Sequence, residues 1–248
     1  MLAIIGGSGL TQLANLDVVR REIMRTPYGD PSGAITFGTI RGKPVAFLAR
    51  HGYGHTIPPH KVNYRANMWA LAQHDVEYIV AVASVGGIRP DLTPGTLAVP
   101  DQIIDYTYGR EFTYFHGNDR SVVHVDFTLP YCEALRQRLL QAAGNAGEPI
   151  LAGGTYAATQ GPRLESAAEI DRLERDGADM VGMTGMPEAA LARELGLCYA
   201  GIAVVVNYAA GRVDSAQGIK LADINAVSRG ALARVHRILD HLVTLDGG

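Results

Sequence analysis

The chain has 248 residues, 47% of them hydrophobic and 19% charged, and a formal net charge of −3. That composition suits a globular protein with one sizeable core, and the small net charge gives no basis for a nucleic-acid or membrane surface. No apolar run reaches the roughly 18 residues of a membrane span. Met1-Leu2-Ala3-Ile4-Ile5 lacks the basic region and cleavage site of a secretory signal. Cys132 and Cys198 lie far apart and match no zinc or redox spacing, so the expectation is two reduced thiols in a cytoplasmic protein.

Short apolar runs rich in β-branched residues predict buried strands over residues 2–5, 44–49, 78–85, 96–99, 151–158, 180–183 and 198–206. Between them, helical spacing predicts helices over 63–73, 131–143, 167–176, 188–195 and 221–242. Pro187 suits a first helical turn, where its missing N–H costs nothing. After residue 145 strands and helices alternate, while the first half holds more strands per helix. The expected fold is therefore a single α/β domain spanning 1–248, with a mixed central β-sheet flanked by helices. Residues 106–126 are polar and aromatic without a period and read as one long excursion, a feature that is often functional.

Glycine makes up 29 of the residues, well above the usual ~7%, and clusters after the apolar runs. Gly6-Gly7-Ser8-Gly9 follows the first run, Arg50-His51-Gly52 the second, and Ala83-Ser84-Val85-Gly86-Gly87 ends the third. Thr184 follows Met183, and Asn207 follows Val206. In open α/β sheets ligands collect at these carboxyl ends. A Gly-Gly-Ser-Gly loop offers open backbone N–H groups and a hydroxyl suited to phosphate. Arg50 adds a planar fork matching two phosphate oxygens, and His51, Ser84 and Thr184 complete a shell. The competing reading of Gly6–Gly9 is a tight strand-to-helix turn with no ligand.

Other readings of the loop fail on spacing. A dinucleotide fingerprint starting at Gly7 meets Gln12 in place of its third glycine, and Leu10 replaces the last glycine of a nucleophile elbow. His51, His55 and His60 are interrupted by Gly52, Gly54, Pro58 and Pro59, so they share no helical face and no metal is expected. Asn207 ends an apolar strand. Its amide could read a base edge, or it could simply start a turn.

Five motifs in order carry a family resemblance: Ile4-Ile5-Gly6-Gly7-Ser8-Gly9-Leu10, Arg50-His51-Gly52, Lys61-Val62-Asn63-Tyr64-Arg65-Ala66-Asn67, Gly161-Pro162-Arg163 and Gly182-Met183-Thr184-Gly185-Met186-Pro187-Glu188. Together they resemble the methylthioadenosine phosphorylase branch of the purine nucleoside phosphorylases, from residue 2 to about residue 240. The resemblance implies a homotrimer without metal or organic cofactor, in which inorganic phosphate is the co-substrate that cleaves a nucleoside's ribosyl–base bond. It implies phosphate contacts from Ser8, Arg50, His51, Ala83, Ser84 and Thr184, with His51 and Asn207 as the catalytic side chains. Met183 is expected under the ribose, and Asn207, Tyr208 and Ala209 at the base. His124 is expected to reach the 5' end of a neighbouring subunit's ligand.

Departures from the adenine-cleaving members bear on the substrate. Asn207 and Ala209 stand where those enzymes carry Asp, and Glu165 stands where 6-oxopurine phosphorylases place Glu. An asparagine NH₂ can donate to N7 and O6 of a 6-oxopurine, and a carboxylate can accept its N1–H. Adenine N1 would face Glu165 with no proton between them, leaving buried groups unpaired. The bland reading of Glu165 is a carboxylate at a helix N-terminus. Ile219, Leu221 and Ile224 are apolar and could cover a 5'-methylthio group, or serve only as core residues of an amphipathic helix. The expected substrate is S-methyl-5'-thioinosine; a 6-amino substrate with adenine release, or inosine and guanosine, are the alternatives. A non-catalytic nucleoside sensor on the same fold is a further reading. Leu164 in place of a stacking aromatic, Ala83 without a hydroxyl, and Gln160 for a commoner Glu also depart from the family.

Overall fold

In the computed structural model, residues 1–115 and 121–245 are described, apart from the side chains of Leu221 and Asp223. The chain order is β1 (Leu2–Gly6), β2 (Asp17–Glu22), β3 (Ile35–Ile40), β4 (Lys43–Ala49), α1 (Tyr64–Ala72), β5 (Tyr78–Gly87), β6 (Leu97–Val99), β7 (Gln102–Asp105), α2 (Glu133–Asn145), β8 (Leu151–Ala152), β9 (Thr155–Ala158), α3 (Ala167–Arg175), β10 (Met180–Gly182), α4 (Gly185–Glu194), β11 (Cys198–Tyr208) and α5 (Leu221–Leu242). The mixed sheet flanked by helices is as expected. Successive residues of the central strands face opposite sides, and both sides are covered. Ile5, Leu48 and Ile79 pack in a cluster with Met68 of α1 and Leu191 of α4. Ile4, Phe47 and Val80 pack in another with Leu139 of α2 and Leu239 of α5. Burial on both faces explains why these strands read as unbroken apolar runs.

Strand β5 is the spine. On one edge β11 runs parallel to it along its length. On the other, β1 runs parallel as far as Ile5 opposite Ala81, and the end of β5 then pairs antiparallel with β10, Val181 opposite Gly86. Residues 82–85 thus have no strand on that edge, and the sheet opens there.

Strands β2, β3 and β7 were not anticipated. β2 is solvent-exposed, with Arg20, Arg21 and Glu22 breaking any apolar alternation. β3 is interrupted by Gly38, whose added Cβ would lie 2.3 Å from the Asp17 carbonyl oxygen. The run at 151–158 is two strands, not one. Gly153 and Gly154, at φ +88° and +123°, redirect the chain between β8, which pairs with β6, and β9, which pairs with β7 and β10. Helix α3 opens with a capping box in which Ser166 accepts from the Glu169 N–H and Glu169 accepts from the Ser166 N–H. In α4 Met186 is extended, so regular helical backbone starts at Pro187, the first-turn position proposed for it.

The cysteine expectation is corrected. Cys132 and Cys198, 66 residues apart, form a disulfide that ties the N-terminus of α2 to the start of β11. Sequence distance hid the pairing, because α2 packs back onto β11. The reduced-thiol argument for a cytoplasmic location falls with it. Among the described residues no helix is long and apolar enough to cross a membrane.

Candidate active site

A cavity of about 680 Å³ occupies the opening beside residues 82–85. It is lined from the carboxyl ends of five strands: Ser8 after β1, Arg50 and His51 after β4, Ala83 and Ser84 in β5, Met183 and Thr184 after β10, and Asn207 and Ala209 from the end of β11. The size fits a small-molecule site. Among the described residues, no group of three or more His, Cys, Asp or Glu is arranged to hold a metal ion.

At one end the Gly6–Gly9 turn leads into a loop rather than a helix, closed by the Leu10 N–H donating to the Gly7 carbonyl at 3.0 Å. Gly7 is required by contact. A Cβ there would sit 2.6 Å from the Val82 carbonyl and 3.0 Å from Arg50 Nη1. Arg50 itself is 1% exposed. Its Nε and Nη2 donate to Glu188 Oε1 and Oε2 at 2.8 and 2.9 Å, and Nη1 donates to the Val82 carbonyl at 3.0 Å. That bond satisfies a β5 edge group that no strand covers. Burial alone would push this guanidinium down, but the Glu188 carboxylate outweighs it and holds it above its ordinary range. Tyr199 Oη donates to Glu188 Oε2 at 2.8 Å, so the carboxylate is itself fixed. Of the expected Arg50 fork, the side-on edge belongs to Glu188. Three of five N–H donors are engaged, and two remain for an anion.

His51 lies with its Nδ1 2.7 Å from the Ile57 carbonyl, which makes Nδ1 the protonated nitrogen and leaves Nε2 as the acceptor. Burial, and then the Arg50 cation, push it down to about 4. The ring is neutral at pH 7. Ser8 Oγ lies 3.5 Å from His55 Nε2, and Ser84 Oγ donates to the Ser8 carbonyl at 3.5 Å. Thr184 caps α4 without using its hydroxyl on the helix, and that side chain lines the cavity.

At the other end the register of β11 against β5 slips between Val205 and Asn207. A bulge of this kind re-aims a side chain, and Asn207 lines the cavity. Its Nδ2 donates to the Tyr208 carbonyl at 2.6 Å, which fixes the amide orientation, since a flipped amide would oppose two oxygens. Asn207 therefore presents one N–H and one carbonyl oxygen, not the two donors expected of it. Glu165 also lines the cavity; Thr159 Oγ1 donates to its Oε1 at 2.6 Å. It precedes the N-cap Ser166, and the helix-terminal carboxylate role is filled by Glu169 instead.

Ile219 and Ile224 line the cavity as expected. The Leu221 side chain lies outside the described residues. Tyr208 does not line the cavity; its carbonyl accepts from Asn207 and Ser215. His124 is exposed and away from the cavity of its own chain. Sequence reading missed Glu188, the partner of Arg50, and Asn225, Ser228, Arg229 and Leu232, which add an α5 face to the cavity. Their i, i+3, i+4 and i+7 spacing is a helical signature that could have placed them together. It also missed Arg110, which lies behind the cavity wall.

Comparison with known proteins agrees with this geometry. Residues 1–244 match the model of the phosphorylase superfamily. A protein of Pseudomonas syringae pv. tomato named probable S-methyl-5'-thioinosine phosphorylase is 53% identical over 98% of each chain. A 6-oxopurine nucleoside phosphorylase of Pyrococcus furiosus is 50% identical over 85% of this chain and 80% of its own. The structure of methylthioadenosine phosphorylase from Schistosoma mansoni with adenine superposes with a TM-score of 0.94 at 33% identity, covering 98% of this chain and 91% of its own. The chain belongs to the phosphorylase superfamily, and the family expected from its motifs is borne out.

Proposed function

We propose that the protein catalyses phosphorolysis of S-methyl-5'-thioinosine, releasing hypoxanthine and 5-methylthioribose 1-phosphate, with no cofactor beyond the phosphate co-substrate. The observation that carries the base assignment is that Glu165 and the bulged Asn207 line one cavity, each oriented by a fixed hydrogen bond. With Oε1 of Glu165 held by Thr159, its Oε2 can accept N1–H of a 6-oxopurine. The Asn207 N–H matches O6, and its carbonyl oxygen matches an N7 that takes up a proton from solvent water as the base departs. Adenine would place its amino group against the N–H and its bare N1 against the carboxylate. Close relatives named for methylthioinosine and 6-oxopurine nucleosides support the same reading.

The reaction needs positive charge on the ribose and negative charge on the leaving purine to be stabilised together. Ser8, Ala83, Ser84, Thr184, His51 and the two remaining Arg50 donors are placed to hold phosphate at the sugar face, where it opposes the cationic ribosyl centre and attacks C1'. Fixing that geometry supplies proximity, and the oriented Asn207 N–H at O6 stabilises charge developing on the base. Met183 packs under the ribose. Ile219 and Ile224 give an apolar wall for the methylthio group.

The test is the initial rate with phosphate on methylthioinosine, methylthioadenosine and inosine in parallel, following base release. Methylthioinosine should be fastest. Faster turnover of methylthioadenosine would refute the base contacts, and equal turnover of inosine would refute the apolar 5' wall. No phosphate-dependent base release would point to a sensor.

Self-association as a homotrimer is part of the proposal. Tyr108, Phe112, Val122, Val123 and Leu129, all in or beside the excursion between β7 and α2, are exposed apolar side chains, and His124, next to Val123 in the chain, is exposed too. Exposed apolar side chains concentrated in one segment of the chain support a contact surface there. Light scattering at the trimer mass is expected; a monomer would remove this part.

A further inference from the structure

The excursion that offers its apolar side chains outward also sends one cation inward. Arg110 is 8% exposed and makes six hydrogen bonds. Nη1 donates to the carbonyls of Met183 and Met186 at 2.8 and 2.6 Å and to Tyr64 Oη at 3.3 Å. Nη2 donates to the carbonyls of Thr159 and Gln160 at 3.2 and 2.9 Å, and Nε to Gln160 Oε1 at 3.2 Å. Among the described residues no carboxylate lies within ion-pair distance of it. A buried guanidinium satisfied only by neutral oxygens is expensive to maintain, and a role in packing alone would not require it.

The acceptors belong to two separate segments, and both are walls of the cavity. Thr159 and Gln160 lead into Pro162, Leu164 and Glu165. Met183 and Met186 bracket Thr184. These segments leave neighbouring parallel strands, β9 and β10. Gly161 shows how close they must then come: at φ +60°, its added Cβ would lie 2.4 Å from Met183 Sδ. One planar fork bonded to both sides fixes their separation, as a flexible ammonium would not.

We propose that Arg110 is a positioning residue for nucleoside binding: it clamps the Glu165 segment against the Met183 segment and so sets the width of the purine and ribose pocket. The proposal rests on the reading of the cavity as a nucleoside site. It does not depend on which nucleoside is used, so the test employs whichever one the wild-type protein turns over fastest.

The experiment is steady-state kinetics of Arg110→Ala and Arg110→Lys in both substrates, with and without added guanidinium at non-denaturing concentration. Loss of the clamp should raise the nucleoside KM on the order of 10-fold or more, while the phosphate KM moves less than about 2-fold, because most phosphate contacts come from segments that Arg110 does not touch. Guanidinium should restore part of the nucleoside KM in Arg110→Ala and none in Arg110→Lys, whose side chain blocks the site. If Arg110→Ala does not fold, the same KM split in Arg110→Lys decides. Equal rises in both KM values, or a lower melting temperature with unchanged KM values, would overturn the proposal. Wild-type protein inactive on every nucleoside would instead overturn the underlying function.

Discussion

Glu188 holds Arg50 side-on, accepting at 2.8 and 2.9 Å with both side chains almost wholly buried, and Tyr199 holds Glu188 in turn. Removing one partner of such a pair leaves an uncompensated buried charge. Glu188→Ala should therefore lose about 3–5 kcal/mol in urea denaturation. In Glu188→Gln, which keeps the shape, the phosphate KM should rise more than the nucleoside KM, because Arg50 then loses the carboxylate charge and one of its two acceptors on that edge and is held less firmly. Equal changes in both would separate Glu188 from the phosphate end of the cavity.

Asn207→Asp should move preference from 6-oxo towards 6-amino nucleosides. The new carboxyl group would face the Tyr208 carbonyl, now 2.6 Å from Nδ2, and can stay there only by carrying a proton. Its one proton is then given to the Tyr208 carbonyl, so only acceptor oxygen faces the base, which suits a 6-amino group and no longer O6. The kcat/KM ratio of methylthioinosine to methylthioadenosine should fall by roughly 100-fold or more. An unchanged ratio in a folded variant would remove Asn207 from the base.

Acid should weaken the fold through His51. Its folded-state value is held down to about 4, against 6.5 for a free imidazole. Between those values the folded state binds fewer protons than the unfolded chain. The contribution of the neutral ring is thus complete above pH ~6.5 and is lost as pH falls towards about 4. Urea midpoints at a series of pH values should show this decline, and His51→Asn, whose amide can still donate to the Ile57 carbonyl, should show a shallower one. Identical slopes would exclude His51 as the source.

Reduction should lower stability by loosening the tie between Cys132 and Cys198. A loop of 66 residues is closed by that bond, and a disulfide of this kind is worth about 2–4 kcal/mol. Melting temperature with and without dithiothreitol should differ for the wild type and coincide for the Cys132→Ser, Cys198→Ser double variant. No difference in the wild type would mean that the bond is absent or energetically silent.

Strand and helix positions in the central sheet were legible because burial on both faces forces near-continuous apolar runs, as in residues 78–85 and 198–206. The edge strand β2 was not, since solvent on its faces removes that constraint. Glycines after strand ends marked the cavity for a simple reason: at Gly7 the backbone must pass where any Cβ would collide.

What the sequence alone determined was local: which residue types stand at the carboxyl ends of which strands; phosphate and a purine as their occupants are what the family resemblance implies. Tertiary structure decided who holds whom. Arg50 meets Glu188 across 138 positions, Arg110 bonds to carbonyls 49 to 76 positions away, and the Asn207 amide is turned by a bulge in its register. Backbone carbonyls have no sequence signature, and a carboxylate declares its partner only when the chain has folded. The directions of the donors in this site therefore follow from packing, whereas their chemical identities were readable from the start.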